Sequence, residues 1–115
     1  MNLQIIHRLK YFAERFARIP KNLWTNTWRH TNNKGVVRYC ALGHLGALGP
    51  DPQHMTPEAV ELCDLLRPIT NHPDERAVTC INDSAGYIPG KDPQERILKA
   101  LKMRMEMEQA KIETP

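Results

Sequence analysis

The chain has 115 residues, of which 41% are apolar, 25% charged and 6% aromatic, and this length suits one compact domain and excludes multidomain machinery. A chain of this size buries roughly two-thirds of its unfolded surface, so it needs neither a disulfide nor a structural metal to fold. The net charge of +3 hides an asymmetry, because residues 1–50 carry eight Lys or Arg against one acid, whereas residues 51–115 carry eight against twelve.

The cysteine and hydropathy patterns predict an unprocessed cytosolic protein. Three cysteines are an odd number and lack the dense spacing of a secreted disulfide framework, so reduced thiols are expected at Cys40, Cys63 and Cys80. The longest uncharged stretch, residues 39–50, is shorter than the roughly 20 residues that span a bilayer, so no membrane partner is predicted. The N-terminus interleaves charged and apolar residues and lacks the apolar block of a signal peptide.

The first predicted element is a helix from Leu3 to Phe16. Its apolar residues recur at the spacing of one buried helical stripe, namely Ile5, Ile6, Leu9, Phe12, Ala13 and Phe16. The helix should end at Ile19-Pro20, because the residue before a proline is pushed out of the helical region.

A β-hairpin is predicted next. Residues 23–30 and 36–39 are rich in the Thr, Trp, Val and Tyr that suit strands, and the Asn-Asn-Lys-Gly segment between them tolerates positive φ. A helix would place Trp24 and Trp28 on one face, but it would have to accommodate several threonines and asparagines, so the hairpin is favoured.

Two helices should follow the hairpin. A short, largely buried helix is predicted from Cys40 to its stop at Gly49-Pro50. The next helix begins at Thr56, followed by a proline and an acid, and it should end near Leu66, ahead of Pro68. Met55 is placed to pack on Val60, and the buried face of this helix is expected to hold Ala59, Val60, Cys63 and Leu66.

The remaining chain predicts a turn and a long terminal helix. Residues 73–81 suit either a short helix or a strand, and residues 82–86 have the composition of a turn. Asp92 begins a helix, with a proline next and a glutamate three residues on. Its buried stripe is Ile97, Leu98, Leu101 and Met105, and residues 106–115 are expected to project from the core or to fray. Residues 1–115 thus predict a single small α+β domain, mostly helical, with four to five helices and a short two-stranded hairpin.

The order of these features resembles a small family of bacterial and bacteriophage domains. The matching positions run from Leu3 to Leu101 and include Trp24, Gly35, Cys40-Ala41-Leu42-Gly43-His44-Leu45, Ile81-Asn82-Asp83, Ile97 and Leu101. The chain departs from the pattern with a histidine at position 44, where a small residue is usual, an isoleucine at position 81, where an aromatic is usual, and extra residues 87–91. The family carries no established activity, and the resemblance implies that Cys40 and Asn82-Asp83 are the positions to inspect first.

Cys40 is the candidate nucleophile. At a helix N-terminus, the free N–H groups and the helix dipole favour a thiolate. His44 lies one turn later and could act as its base, with Asp83 or Asn82 orienting the histidine as in a triad. The alternative reading is a packed core thiol, because an Ala-Leu-Gly-rich helix is usually buried.

Asn82 and Asp83 also have a structural interpretation, as side chains that cap backbone N–H groups. A zinc site made of Cys40, His44, Cys80 and Asp83 would use acceptable ligands, but the spacing matches no standard zinc motif. The sequence therefore predicts neither a metal nor a cofactor.

The hairpin supplies a candidate binding surface. Cationic side chains alternate with aromatic ones there, and the residues singled out for binding are Trp24, Trp28, Arg29, Arg38, Tyr39 and Asn82, with His30 and Lys34 nearby. Cations beside aromatic rings can hold phosphates and stack bases. The alternative is that the tryptophans cover the core while the charges only solvate the surface.

We therefore predict a small cytosolic binding or adaptor protein with a protein partner. The chain lacks a complete catalytic motif, its charge is segregated, and Met103, Met105 and Met107 near its end could contact a partner. If the protein is phage-encoded, its partner is a host protein and its location the host cytoplasm. Two alternatives stay open: a cysteine-dependent enzyme that uses Cys40, and a nucleic-acid-binding module that uses the hairpin.

Overall fold

Five α-helices and one two-stranded antiparallel sheet make up the described part of the chain, residues 2–49 and 52–113 of a computed structural model, and they confirm the predicted fold class. The helices are α1 (Asn2–Ala17), α2 (Ala41–His44), α3 (Pro57–Thr70), α4 (Arg76–Asp83) and α5 (Pro93–Glu113). The strands are β1 (Arg29–Thr31) and β2 (Val37–Tyr39), and short 3-10 turns cover Lys21–Leu23 and Pro52–His54.

The core forms where α1 and α5 pack along each other and α3 and α4 cover them. All four helices contribute fully buried apolar side chains, and α2 and the segment before α5 add one each. The side chains are Leu9, Phe12, Phe16, Leu62, Leu66, Val78, Ile81, Ile97 and Leu101 of the four helices, with Leu42 and Ile88. Each such side chain contributes about 1.5–3 kcal/mol by leaving water. Gln94 Nε2 donates to the carbonyls of Phe16 (3.0 Å) and Ile19 (2.6 Å), so α5 begins where α1 ends.

The predicted helix starts are confirmed. The Thr56 hydroxyl accepts a hydrogen bond from the Ala59 N–H at 3.2 Å, and the Asp92 carboxylate accepts one from the Glu95 N–H at 2.9 Å. Each side chain satisfies a first-turn donor that has no partner within its helix.

Two predicted helix ends are wrong. The α3 helix passes through Pro68 and ends at Thr70, because the proline removes one hydrogen bond in the last turn while Ile69 and Thr70 pack inward and Asn71, at φ 61°, caps the end. The α2 helix ends at His44 instead of at Gly49-Pro50, because Gly46 turns the chain at φ +90°. Pro50 lies outside the described residues.

Two further local predictions need correction. Asn82 and Asp83 do not begin a turn but close α4, which resolves the ambiguity of residues 73–81 as a helix from Arg76 onward. Val60 was expected on the buried face of α3, yet it is 46% exposed, whereas Ala59, Cys63 and Leu66 are buried as predicted. Val60 and Met55 instead both line an open cleft at the start of α3.

Polar residues continue the packing of α5 beyond its apolar stripe. Arg104 Nε donates to the Leu65 carbonyl of α3 at 2.6 Å, and its Nη1 donates to the carboxylate of Glu108 at 3.0 Å. Lys111 Nζ also reaches this carboxylate, at 2.8 Å, and Glu108 is only 1% exposed. Of the segment 106–115, the structure describes residues up to 113, and Met107 and Ile112 are exposed there.

The predicted hairpin is present, with shorter strands. Register pairs are Arg29 with Tyr39, His30 with Arg38, and Thr31 with Val37. The hairpin packs closely on α2 at Gly43, where a Cβ atom would lie 2.7 Å from the carbonyl oxygen of Trp28 and 2.9 Å from Cδ1 of Tyr39. Only glycine permits this approach.

Replacing Gly43 should therefore loosen the hairpin. We expect Gly43→Ala to lower the free energy of unfolding by about 1–3 kcal/mol in urea titrations, because the added methyl group overpacks the contact. Gly49→Ala is the matched control, since its Cβ would meet His54 at an ordinary 3.5 Å. Equal stability of the two variants would contradict this packing.

Candidate functional site

Cys40 lies at the N-terminus of α2, as the sequence predicts, but its thiol faces the interior. It is 2% exposed, and its Sγ accepts a hydrogen bond from the Gly43 N–H at 3.5 Å. Burial raises the pKa of the thiol, and the nearby Asp83 carboxylate raises it further, outweighing the backbone N–H groups that lower it. Cys40 therefore caps a helix as a protonated thiol and does not have the accessible thiolate that nucleophilic catalysis uses.

His44 is directed away from Cys40. Its ring packs between Trp24 and Tyr39, with ring centroids 4.8 and 5.5 Å apart, and its Nε2 lies 3.0 Å from the Leu23 carbonyl oxygen. A carbonyl can only accept, so Nε2 carries the hydrogen. Burial lowers the pKa of His44, which favours the neutral ring. The histidine thus anchors the loop before β1 to α2.

Asn82 joins three segments that are distant in the chain. Its Oδ1 accepts from the Ala41 N–H at 3.1 Å, and its Nδ2 donates to the Thr25 carbonyl at 3.0 Å and to Asp83 Oδ1 at 2.8 Å. The side chain is fully buried. It therefore caps α2 together with Cys40 and holds the segment before the hairpin against the end of α4.

Asp83 is the partner of Asn82. Burial raises the pKa of this carboxyl group, and the hydrogen bond from Asn82 opposes that effect. The structure brings Cys40, Asn82 and Asp83 into one neighbourhood but leaves His44 with Leu23, so the three predicted catalytic side chains do not form a relay. Across residues 2–49 and 52–113, no three His, Cys, Asp or Glu side chains are grouped as a metal ion would need.

Arg96 has a structural role that the sequence does not predict. Its guanidinium donates to the carbonyls of Ile81 (3.1 Å), Asn82 (2.6 Å) and Gly90 (3.1 Å), and to Oδ1 of Asn26 (3.2 Å). It is 6% exposed. An arginine in the first turn of a helix is normally on the surface, so the sequence contains no signal for this role. The close packing of Arg96 on Gly90, where a Cβ would lie 2.7 Å from Cγ of Arg96, is seen only in the structure.

The residues predicted for binding fall into two groups. Trp24 belongs to the core, where its ring lies 5.3 Å from that of Phe16, and Tyr39 is half-buried against His44. Trp28 and Arg38 are half-buried at the edge of the hairpin, whereas Arg29 is exposed. Arg29 is thus the exposed member of the set, while Trp28, Arg38 and Tyr39 each expose part of their side chain.

We name the basic residues of the hairpin, Arg29, His30, Lys34 and Arg38, the hairpin surface. Arg29 pairs with Tyr39 and lies on the opposite face of the ribbon from His30 and Arg38. The first three residues are exposed, and Arg38 is half-buried with a buried Nε that has no hydrogen-bond partner. None of the four has a carboxylate within ion-pair distance among the described residues. The register places Arg38 directly across from His30, so these two side chains share one face of the ribbon.

Comparisons with protein-family models, with curated proteins and with solved structures find no match to this chain. The family resemblance seen in the sequence therefore stays a prediction. Among the described helices, none combines the length with the apolar character that crossing a bilayer requires.

The burial of Cys40 makes a direct prediction for thiol chemistry. Cys80 is half-exposed, whereas Cys40 and Cys63 are buried, and burial with nearby carboxylates raises the pKa of Cys63 to about 12. At pH 8, we expect a thiol reagent to modify Cys80 at least about tenfold faster than either buried cysteine, because the thiolate is the reacting form. Peptide mass spectrometry assigns the sites, and the chain unfolded in guanidinium is the control. Modification of Cys40 as fast as that of Cys80 would contradict the capping role and favour an enzyme.

Proposed function

We propose that the protein is a non-enzymatic binding or adaptor protein that recognises an acidic surface of another protein through the hairpin surface. The observation that carries this proposal is a contrast between two sets of polar side chains. One set is hydrogen-bonded within the fold, and the other has no partner of opposite charge among the described residues. The candidate catalytic side chains, Cys40, His44 and Asp83, are occupied by contacts that hold the fold. The cations of the hairpin surface have no carboxylate partner in the described chain.

Elsewhere many of the basic residues are paired, although Lys10, Arg18, Lys91 and Lys102 have no ion pair among the described residues. Arg8 binds Glu61 through two hydrogen bonds of 2.7 and 2.6 Å, and Arg15 binds Glu58 at 2.6 Å. Further pairs are Lys21–Asp92, Arg67–Asp64, Arg76–Asp74, Lys99–Glu95 and Arg104–Glu108. An unpaired cluster of cations gives the hairpin a positive field that steers an acidic partner and fixes its orientation.

The location proposed is the cytoplasm. The three cysteines are free, and unpaired buried thiols fit a reducing compartment. The resemblance to bacterial and bacteriophage domains supports a bacterial protein as partner, and the host cytoplasm as location if the chain is phage-encoded.

Nucleic-acid binding is the second candidate, and the exposed antiparallel ribbon favours it. A two-stranded ribbon can enter the major groove of DNA, and Trp28 lies half-buried immediately before β1. The hairpin surface has three permanent cations, which limits the number of phosphates it can neutralise and makes binding strongly dependent on salt. An acidic protein surface needs fewer simultaneous contacts, so it is the favoured partner.

Matched charge reversals test the proposal. Wild type, Arg29→Glu/Lys34→Glu and the equally charged control Lys10→Glu/Lys102→Glu serve as baits in nuclease-treated bacterial lysate. Lys10 and Lys102 are exposed on α1 and α5. We expect wild type and control to retain the same acidic protein, and the hairpin variant to bind it at least about tenfold more weakly, since two attractive contacts become repulsive.

The same three proteins distinguish the second candidate when titrated with labelled DNA and RNA at about 50 and 200 mM salt. A mobility shift at low salt that only the hairpin variant loses would support nucleic-acid binding. Retention of identical proteins by all three baits, or neither a specific protein nor a shift, would contradict the role of the hairpin surface.

A further inference from the structure

A second surface lies at the other end of α4, and its charged residues are acidic where those of the hairpin surface are basic. The start of α3 and the segment before α4 enclose an open cleft of about 310 Å³. Its apolar wall is formed by Met55, Val60, Cys63 and Pro73, and its rim by the carboxylates of Asp64, Asp74 and Glu75. We name this cleft the acidic cleft. The helix α4 runs from the cleft, at Arg76, to Asn82, which contacts the segment before the hairpin.

The apolar wall is accessible. Val60 continues the apolar pattern of α3, yet it is 46% exposed because it opens onto the cleft. Met55 is only partly buried at the edge of the core. A volume near 300 Å³ is at the lower end of those that bind ligands, and it suits one long side chain with its adjoining backbone.

The carboxylates on the rim favour a bound side chain that carries a positive charge. Burial is the main cause of the raised pKa of the Cys63 thiol, and all three carboxylates raise it further while Arg67 opposes them. Asp64 and Asp74 have exposed arginine partners, Arg67 at 2.7 Å and Arg76 at 3.0 Å. The carboxylate of Glu75 has no hydrogen bond or ion pair within residues 2–49 and 52–113. The rim thus keeps one unpaired negative charge beside an apolar wall.

The geometry points to the acidic cleft as the docking site for a lysine- or arginine-bearing segment of a partner protein. The aliphatic stem of that side chain contacts Val60 and Met55, and its cation pairs with Glu75. Lys and Arg bury their stems along apolar surface while the charged head stays near water, which matches this combination of wall and rim. Neutral apolar ligands would leave Glu75 unpaired, and anions would be repelled. This site uses none of the residues of the hairpin surface.

A defined peptide tests the site independently of any lysate. The probe is a fluorescein-labelled peptide of alternating leucine and arginine, measured by anisotropy at about 50 mM salt, where surface charges are weakly screened. We expect saturable binding to wild type. Glu75→Gln and Val60→Thr should each weaken it about tenfold, because one removes the unpaired charge and the other removes apolar contact.

Conservative changes at similar exposed positions provide the controls. Glu106→Gln and Val36→Thr alter exposed side chains outside the cleft and should leave the affinity unchanged. Arg29→Glu/Lys34→Glu should also leave it unchanged, so failure of the hairpin proposal does not affect this result. Unaltered melting temperatures in the two cleft variants would show that lost binding does not come from lost folding.

Three results would overturn the inference. One is the absence of binding to wild type, and another is equal binding to the cleft variants and to wild type. The third is self-association of the protein without peptide, seen by sedimentation and abolished by Glu75→Gln, which would identify a second copy as the occupant.

Discussion

The amide of Asn82 fixes where three separate segments of the chain meet. It satisfies the first N–H of α2 and the carbonyl of Thr25 at the same time, from the last turn of α4. Arg96 then satisfies the carbonyls of Ile81 and Asn82, which the end of α4 would otherwise leave without partners. Because buried polar groups are costly when unpaired, these bonds specify one arrangement of α2, α4, α5 and the hairpin.

This network changes the meaning of the residues that first suggest chemistry. A cysteine at a helix start, a histidine one turn later and an Asn-Asp pair resemble parts of a catalytic triad in the sequence. In the fold, Cys40 and Asn82 cap the same short helix, and His44 binds a backbone carbonyl. These polar side chains form hydrogen bonds inside the protein. The proposed function therefore rests on the hairpin surface, which these contacts hold in place.

Folding pairs part of the basic first half of the sequence with the acidic second half. Arg8, Arg15 and Lys21 of the basic half pair with Glu61, Glu58 and Asp92 of the acidic half. The charges that remain unpaired among the described residues include the cations of the hairpin surface and the Glu75 carboxylate of the acidic cleft, alongside exposed residues such as Lys10, Lys102 and Glu106. Under the proposed function, the hairpin surface and the acidic cleft bind partners of opposite charge.

Local patterns in the sequence predict much of this fold. The stripe of α1, the caps Thr56 and Asp92 and the hairpin turn each depend on neighbours within a few residues, so they were found correctly. Hydrogen bonds and contacts between residues that are far apart in the chain cannot be predicted in this way. The end of α4 at Asp83 depends on Arg96, and the exposure of Val60 depends on where the segment before α4 lies. The candidate residues were located, but their roles depend on partners far away in the chain.

The Asn82 amide holds α2, α4 and the segment before the hairpin together. Urea unfolding of Asn82→Ala, compared with Asn33→Ala on the exposed hairpin turn, tests it most directly. We predict a loss of roughly 3 kcal/mol for Asn82→Ala, because buried partners are left unsatisfied, and a change within about 0.5 kcal/mol for the control. Equal stability of the two variants would contradict the account.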